Sequence, residues 1–545
     1  MLSLKKYFLS ILLFSILVFA SNNSFATNYY ISTTGNNSNL GTSSVSAKAT
    51  LANIFSSFNL GIGDTVFVEA GTYSETGITV GSDDESFVIQ GAALSSGIPT
   101  SIFDASSTAR WLLIGDTNND NIVINNLEIK DHKENDSGSP QGGGGIKIVD
   151  GATGTAINYC VFDNCDTRAA SGHRGGAIYS AEDLTIAYTT FKNCNTYIYG
   201  GAISLELSID NNSTIDHCTF YNNNNDYWND YGSAILFGPG TSVSLTITNS
   251  LFYKNGTSSS SGTCIAAMNS GATLNLMNCT ITANGNTSNP TGGVIALSSA
   301  QIYATNTIFY NNIGNTYNDA YNNTSSFSMV NCCYGNSSEI NSISPKTNCI
   351  ITNPLFTNST IDDYTLQNSS TLIDAGTIFG APSDDILDYV RTAIPDIGAF
   401  ENGGATPLPI NLSRFIGINK LRYNSLNWET KSEKNNLYFT IEKSTNGADF
   451  YEIGIIKGCG NCNYENEYQF PDYNLEETIN YYRLKQVDFD GKYIYSKIIT
   501  IDNRFSEKKE IKLICNILGQ PVESHTKGWV FIYYNDGSSQ KIMNH

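Results

Sequence analysis

A short pattern recurs through the middle of this chain with a period near 29 residues, and it restricts the fold more than any other feature. An apolar residue followed by polar ones stands at Phe162, Phe191, Phe220, Phe252, Ile281 and Phe309, spaced 29, 29, 32, 29 and 28 residues apart. A second mark falls between them, at Gly175-Gly176-Ala177-Ile178, Gly200-Gly201-Ala202-Ile203, Gly232-Ser233-Ala234-Ile235 and Gly292-Gly293-Val294-Ile295. A fixed period of this length is the signature of a stacked repeat. Each unit holds three short apolar runs, such as Ala177 to Tyr179, Leu184 to Ile186 and Thr189 to Phe191, with no room for a crossover helix. Three strands per unit, stacked in parallel at about 4.8 Å per coil, predict an all-β chain built on a right-handed parallel β-helix.

Two columns of small polar residues follow from that stacking. One reads Cys160, Thr189, Cys218, Ser250, Cys279 and Thr307; the other reads Cys165, Cys194, Asn223, Asn255, Asn284 and Asn312. Amides and hydroxyls repeated at one coil position form ladders that relieve tight turns, so the Asn-rich composition needs no ligand to explain it. Open ends would expose core and strand edges. A short amphipathic helix in Ala47 to Phe58 suits the N-terminal end, with strands starting at Gly63 to Val68, and Pro395 to Glu401 closes the other.

Residues 1–26 read as a signal peptide: Lys5 and Lys6, an apolar run from Phe8 to Ala20, then Ser24-Phe25-Ala26. The run is short for a membrane span, and no later stretch of the mature chain reads as transmembrane. The β-helix is expected over 27–404, a linker over 405–409 around Pro407-Leu408-Pro409, and a β-sandwich over 410–503 with hairpin signals at Asn446-Gly447 and Asp490-Gly491. A further strand region over 504–545 carries Asp536-Gly537. Segment 27–404 has 11 Lys and Arg against 33 Asp and Glu, a net charge of −22. That charge repels phosphate backbones and acidic polysaccharides unless a cation such as Ca²⁺ bridges them, which makes nucleic acid a poor partner.

Five sets of motifs resemble known families. Tyr29 to Asn37, Gly63-Asp64-Thr65-Val66 and Gly71-Thr72-Tyr73 resemble the opening of secreted pectate-lyase-like β-helix proteins. Asn353-Pro354-Leu355-Phe356, Ile373-Asp374-Ala375-Gly376 and Pro395 to Glu401 are similar to the closing signature of choice-of-anchor Q surface proteins. The Gly-Gly-Ala-Ile and Phe-x-Asn-Asn repeats resemble those of polymorphic outer-membrane autotransporter passengers, although no membrane barrel follows. Leu426 to Thr430, Phe439 to Ser444 and Tyr481 to Asp488 resemble a fibronectin-type sandwich. Asn516 to Val522 and Tyr533 to Gly537 are similar to the core of a type IX secretion sorting domain, in a short variant without its earlier half. These resemblances imply a secreted protein, extracellular or at the outer-membrane surface, handled by the type IX secretion machinery.

Basic residues among acids mark the one candidate catalytic group. Arg168, His173 and Arg174 share a loop, with Lys130, Asp131, His132 and Lys133 about one coil earlier. Lyases on this fold need a base and a neutralising charge beside the sugar carboxylate. The same loop in later coils holds Tyr197 and Tyr199, then Asp226, Tyr227, Trp228 and Tyr231, a row of aromatics suited to stacking on sugars from an extracellular polysaccharide or cell-surface glycan. The loops also read as ordinary exposed turns, and no paired carboxylates of a glycoside hydrolase accompany them. Two functions therefore stand: an adhesin-like binding or structural module, and a polysaccharide lyase or hydrolase acting through Arg168 to Arg174. No organic cofactor is implied. Asp83-Asp84-Glu85 and Asp384-Asp385 offer carboxylates for a cation, but without EF-hand spacing they fit solvated turns better. Cys165 and Cys194, in adjacent coils, are within disulfide reach, while Cys459 and Cys462 suit a local bridge across a turn.

Overall fold

The computed structural model describes residues 26–545 except 96, 107–108, 135–141, 169–171, 207–211, 227–230, 239–242, 258–261, 288–291, 324, 337, 339, 404–411, 421–422, 432, 463–464, 477, 489–492, 504–510, 524–525, 535–537 and 545. The signal-peptide segment thus lies outside the described residues. So do the Asp490-Gly491 and Asp536-Gly537 turns, and Tyr227 and Trp228. The chain divides into two compact units, Met1–Pro407 and Leu408–His545.

The first unit is a parallel β-helix with three faces. Twelve strands pair in order along the first face from Asn28–Ile31 to Lys346–Thr347, eleven along the second from Gly71–Tyr73 to Ile350–Ile351, and ten along the third from Ile78–Thr79 to Ile340–Asn341. A parallel strand returning to its own sheet through a crossover turns to the right, which sets the hand of the coil. One coil shows the plan: Thr155–Asn158, a corner, Val161–Asp163, the loop through 164–177, then Ile178–Ser180. The repeat keeps its register. Phe162, Phe191, Phe220, Phe252, Ile281 and Phe309 are successive Cα partners, and the first four rings stack with centroids 5.0, 4.7 and 4.6 Å apart. The helix is longer than the marked tract, because Tyr73, Phe103 and Ile129 extend the same column towards the N-terminus.

Both polar columns point inward. Asn223 donates through Nδ2 to Asn255 Oδ1 at 2.9 Å, Asn255 to Asn284 and Asn284 to Asn312 at the same distance, and Asn312 to Asp319 Oδ1 at 2.8 Å. Each amide also caps a backbone carbonyl one coil earlier, at Phe191, Phe220, Phe252 and Ile281. His132 heads this column and is wholly buried, its ring nitrogens 3.1 and 3.2 Å from the carbonyls of Ala109 and Phe103. The other column bonds through its hydroxyls, with Thr189 Oγ1 accepting from the Cys160 amide and Ser250 Oγ from that of Cys218. Cys165 and Cys194 are free buried thiols, and Cys459 is disulfide-bonded.

The N-terminal cap is shorter than its sequence pattern. Only Leu51–Ser57 is helical, started by Thr50 whose hydroxyl accepts from the Asn53 amide, with Leu51, Ile54 and Phe55 buried. The strands begin before it, since Asn28–Ile31 pairs with Thr65–Val68. At the other end the closing segment turns back along the outside of the coils. It docks on a column of corner residues with positive φ: Asn331, Asn306, Asn278, Asn249, His217 and Tyr188. Asn331 Nδ2 donates to Ala375 O, Asn306 Nδ2 to Thr377 O and Asn278 Nδ2 to Asp396 O. Arg391 donates to Asn249 Oδ1 at 2.9 Å and to Glu401 Oε2 at 3.1 Å, and Tyr188 donates to Asp388 Oδ1 at 2.9 Å. The segment is therefore a strap over six coils rather than a plug.

In the second unit, Leu412–Asn419, Asn424–Thr430 and Asn466–Asp472 form one antiparallel sheet. Tyr451–Cys462, Glu433–Ser444, Ile479–Asp488, Tyr493–Tyr495 and Ile499–Asp502 form another. Their shared core contains Leu426, Trp428, Phe439, Ile441, Tyr482 and Leu484. The Asn446-Gly447 signal sits where Glu433–Ser444 turns into Tyr451–Cys462. Ile511–Asn516, Gly528–Tyr534 and Ser539–Asn544 make a separate three-stranded sheet. No helix among the described residues is long and apolar enough to cross a membrane.

Candidate ligand-binding face

The Gly-Gly marks place the loop residues. Gly175, Gly200 and Gly232 all have φ between 61° and 74°, and a Cβ on any of them would meet the carbonyl oxygen three residues on at 2.0 to 2.3 Å. Only glycine turns the chain so sharply into the third face. The residue just before each is held at the edge of that face: Arg174, Tyr199 and Tyr231. Arg174 and Tyr199 are bridged as parallel neighbours, and the Arg174 guanidinium lies 5.4 Å from the Tyr199 ring centroid.

The two arginines are held by carboxylates. Arg168 donates from its backbone N, Nε and Nη2 to Asp166 at 2.8, 3.0 and 2.9 Å, and from Nη1 to Asp226 at 3.3 Å. Its hydrogen bonds with Asp166 push the guanidinium pKa up further. Arg174 pairs with Glu206, which also lies 3.4 Å from Ser204 Oγ. His173 is wholly buried, and its backbone carbonyl accepts from Thr196 Oγ1 at 2.9 Å. One coil earlier, Lys130 lies 3.7 Å from Asp104, Lys133 lies 4.0 Å from Asp166, and His132 is inside the helix. Arg168 and Arg174 thus reach the surface as partners of acids, and His173 does not reach it.

The middle residue of each strand on the third face points outward: Lys147, Tyr179, Ser204, Leu236, Ala266, Ile295 and Tyr321 are successive Cα partners. Five of these, Tyr179 to Ile295, are nonetheless buried. Leu236, Ala266, Ile295 and Leu297 form an apolar cluster apart from the main core, against which Tyr199, Tyr231, Met268 and Tyr321 pack. Burial and the nearby Glu206 push the Tyr179 phenol up. Repeat counting missed this strip. Its signal was present as unbroken apolar runs, Ile235-Leu236-Phe237 and Val294-Ile295-Ala296-Leu297, where the first face alternates. The face therefore joins an apolar floor to an edge of tyrosines and paired charges. Tyr197 lies half-buried beside this edge.

The chain matches no family model and no curated protein. Among solved structures it is similar to the pectate lyase Pel9A, at 15% identity and a TM-score of 0.38, over 70% of this chain and 97% of that one. It is also similar to bacteriophage CBA120 tailspike protein 3, at 10% identity and a TM-score of 0.23, over 54% of this chain and 53% of that one. Neither likeness bears on chemistry; the β-helix stands on its own strand register.

Two of the carboxylates offered for a cation are engaged by backbone amides. Asp84 accepts from the amides of Leu60 and Gly81, and Asp385 from those of Leu387, Tyr389 and Glu401. Both cap turns.

Proposed function

We propose that this protein is an extracellular, surface-displayed or released β-helix that binds glycans along its third face without cleaving them. The observation that supports this most is the pairing of both edge arginines with carboxylates. A lyase base must meet the sugar's Cα proton unencumbered, whereas a binding site gains from fixed donors. Arg168 locked on Asp166 and Asp226 is a rigid hydrogen-bonding platform, and Tyr199 and Tyr231 supply flat apolar surface at low entropic cost. The signal segment and the motifs of the C-terminal strands fit export by the type IX route, with residues 504–545 as the part recognised. A lyase acting through Arg168 to Arg174 is the second reading; His173 is too buried to serve it.

Glycan-array binding by the wild-type protein and by Tyr199→Ala and Tyr231→Ala tests the proposal. Retention of one glycan class, weakened at least tenfold in either variant, is expected. Equal retention by all three proteins would move the site off this face.

A further inference from the structure

Where the strap reaches its far end, three side chains from distant parts of the chain converge. His217 stands at a coil corner with φ 50°, its side chain 2% exposed and its ring stacked 4.5 Å from that of Tyr188. Its Nε2 makes no hydrogen bond. It faces Asp384 Oδ1 at 3.6 Å and Asp388 Oδ1 at 3.7 Å, both from the strap. Such separations are too long for a hydrogen bond. They lie at the upper end of, or just beyond, the roughly 3.3 to 3.6 Å between neighbouring ligand atoms around a tetrahedral cation with bonds of about 2.0 to 2.2 Å. One donor atom from each of the three residues lies within 4.8 Å of the others.

The surroundings are those of a metal-ligating histidine. Nδ1 lies 2.8 Å from Asp216 Oδ2, an outer carboxylate of the kind that orients a metal-ligating imidazole. Asp216 is itself fixed by the Thr248 hydroxyl and lies 3.5 Å from Asn249 Nδ2. Tyr188 donates to Asp388 Oδ1 and orients it. Asp384 and Asp388 remain 18% and 21% exposed, which leaves a side open to water.

We infer that His217, Asp384 and Asp388 bind one divalent transition cation of the zinc class, with water completing the coordination. One imidazole nitrogen and two carboxylates suit such an ion. Ca²⁺, which takes about six to eight oxygens, is the poorer fit. The cation would pin the tip of the strap, at Asp384 and Asp388, to the coil of His217, where neighbouring contacts are hydrogen bonds through Asn249 and Tyr188.

The test uses the purified full-length protein, stripped with chelator and titrated with Zn²⁺ by calorimetry, with melting followed in Zn²⁺ and in EDTA. One saturable site per chain is expected, with a higher melting temperature in Zn²⁺ and no matching effect of Ca²⁺. His217→Ala and Asp384→Asn should each weaken binding at least tenfold; the second changes a strap residue and carries the test if the first fails to fold. Cys349, a half-buried thiol, is the obvious competing ligand, and Cys349→Ser should leave the titration unchanged. Identical melting in Zn²⁺ and EDTA would mean that the cluster is an ion pair only. That result, binding that survives both variants, or binding lost in Cys349→Ser would each overturn the inference.

Discussion

Cys349 lies one coil beyond Cys332, and the hydrogen bond between their side chains lowers the Cys349 thiol to about 7 while burial holds Cys332 far up. The thiolate is the reactive form. Iodoacetamide at pH 7 should therefore modify Cys349 ahead of every buried thiol, with a rate midpoint near pH 7 that rises in Cys332→Ala; mass mapping of the alkylated peptides checks this. Asp396 titrates for a different reason. Burial in the closing segment raises its carboxyl to about 6, although the amides of Asn402 and Asp374 bond to its oxygens. Its folded pKa exceeds the unfolded value, so the folded state holds the proton longer and stability falls as pH rises from about 4 to 6. Two units correspond to roughly 3 kcal/mol at most. Denaturant melts across that range should show the decline, and Asp396→Asn should flatten it. Neither residue was legible as special in the sequence, because the Cys349 shift depends on a hydrogen bond from one coil away and the Asp396 shift on burial within the closing segment.

The elements divide by what holds them. The buried Asn ladder is a connected network in which each amide bonds both the next amide and a strand carbonyl. Asn255→Ala removes those donors, taking the amide from the Phe220 carbonyl and the Oδ1 acceptor from Asn223. A loss of about 2 to 4 kcal/mol in chemical denaturation is expected, since stranded buried polar groups cost more than a hydrogen bond gains. A change under 0.5 kcal/mol would show that the ladder is not cooperative. The ladder and Phe column were readable beforehand, because stacking places chemically similar residues at one coil position. The strap was not. Its contacts join residues such as Tyr188 and Asp388, 200 positions apart, and no local period encodes them. The first strand was missed for a related reason: Asn28–Ile31 has no repeat mark and is recognisable only by its partner Thr65–Val68.

At the scale of the molecule, the proposed binding face belongs to segment 27–404, whose net charge is −22. Charges interact over about 10 Å in 0.1 M salt, so acidic polymers meet repulsion before contact while neutral glycans do not. Retention of neutral glycans should hardly change between 50 mM and 500 mM salt, and acidic ones should bind only with a divalent cation present; affinity electrophoresis at both salt levels checks this. The three-faced helix was legible from its period, yet the third face's apolar strip required knowing which strand residues point outward. Binding without cleavage is open to a direct measurement. Purified protein is incubated with every polysaccharide it retains, with Ca²⁺ and separately with Zn²⁺, while new reducing ends and unsaturated-uronate absorbance are followed together. The account predicts retention with neither signal above the protein-free control; time-dependent release of either product that disappears in Arg168→Ala with Arg174→Ala would contradict it.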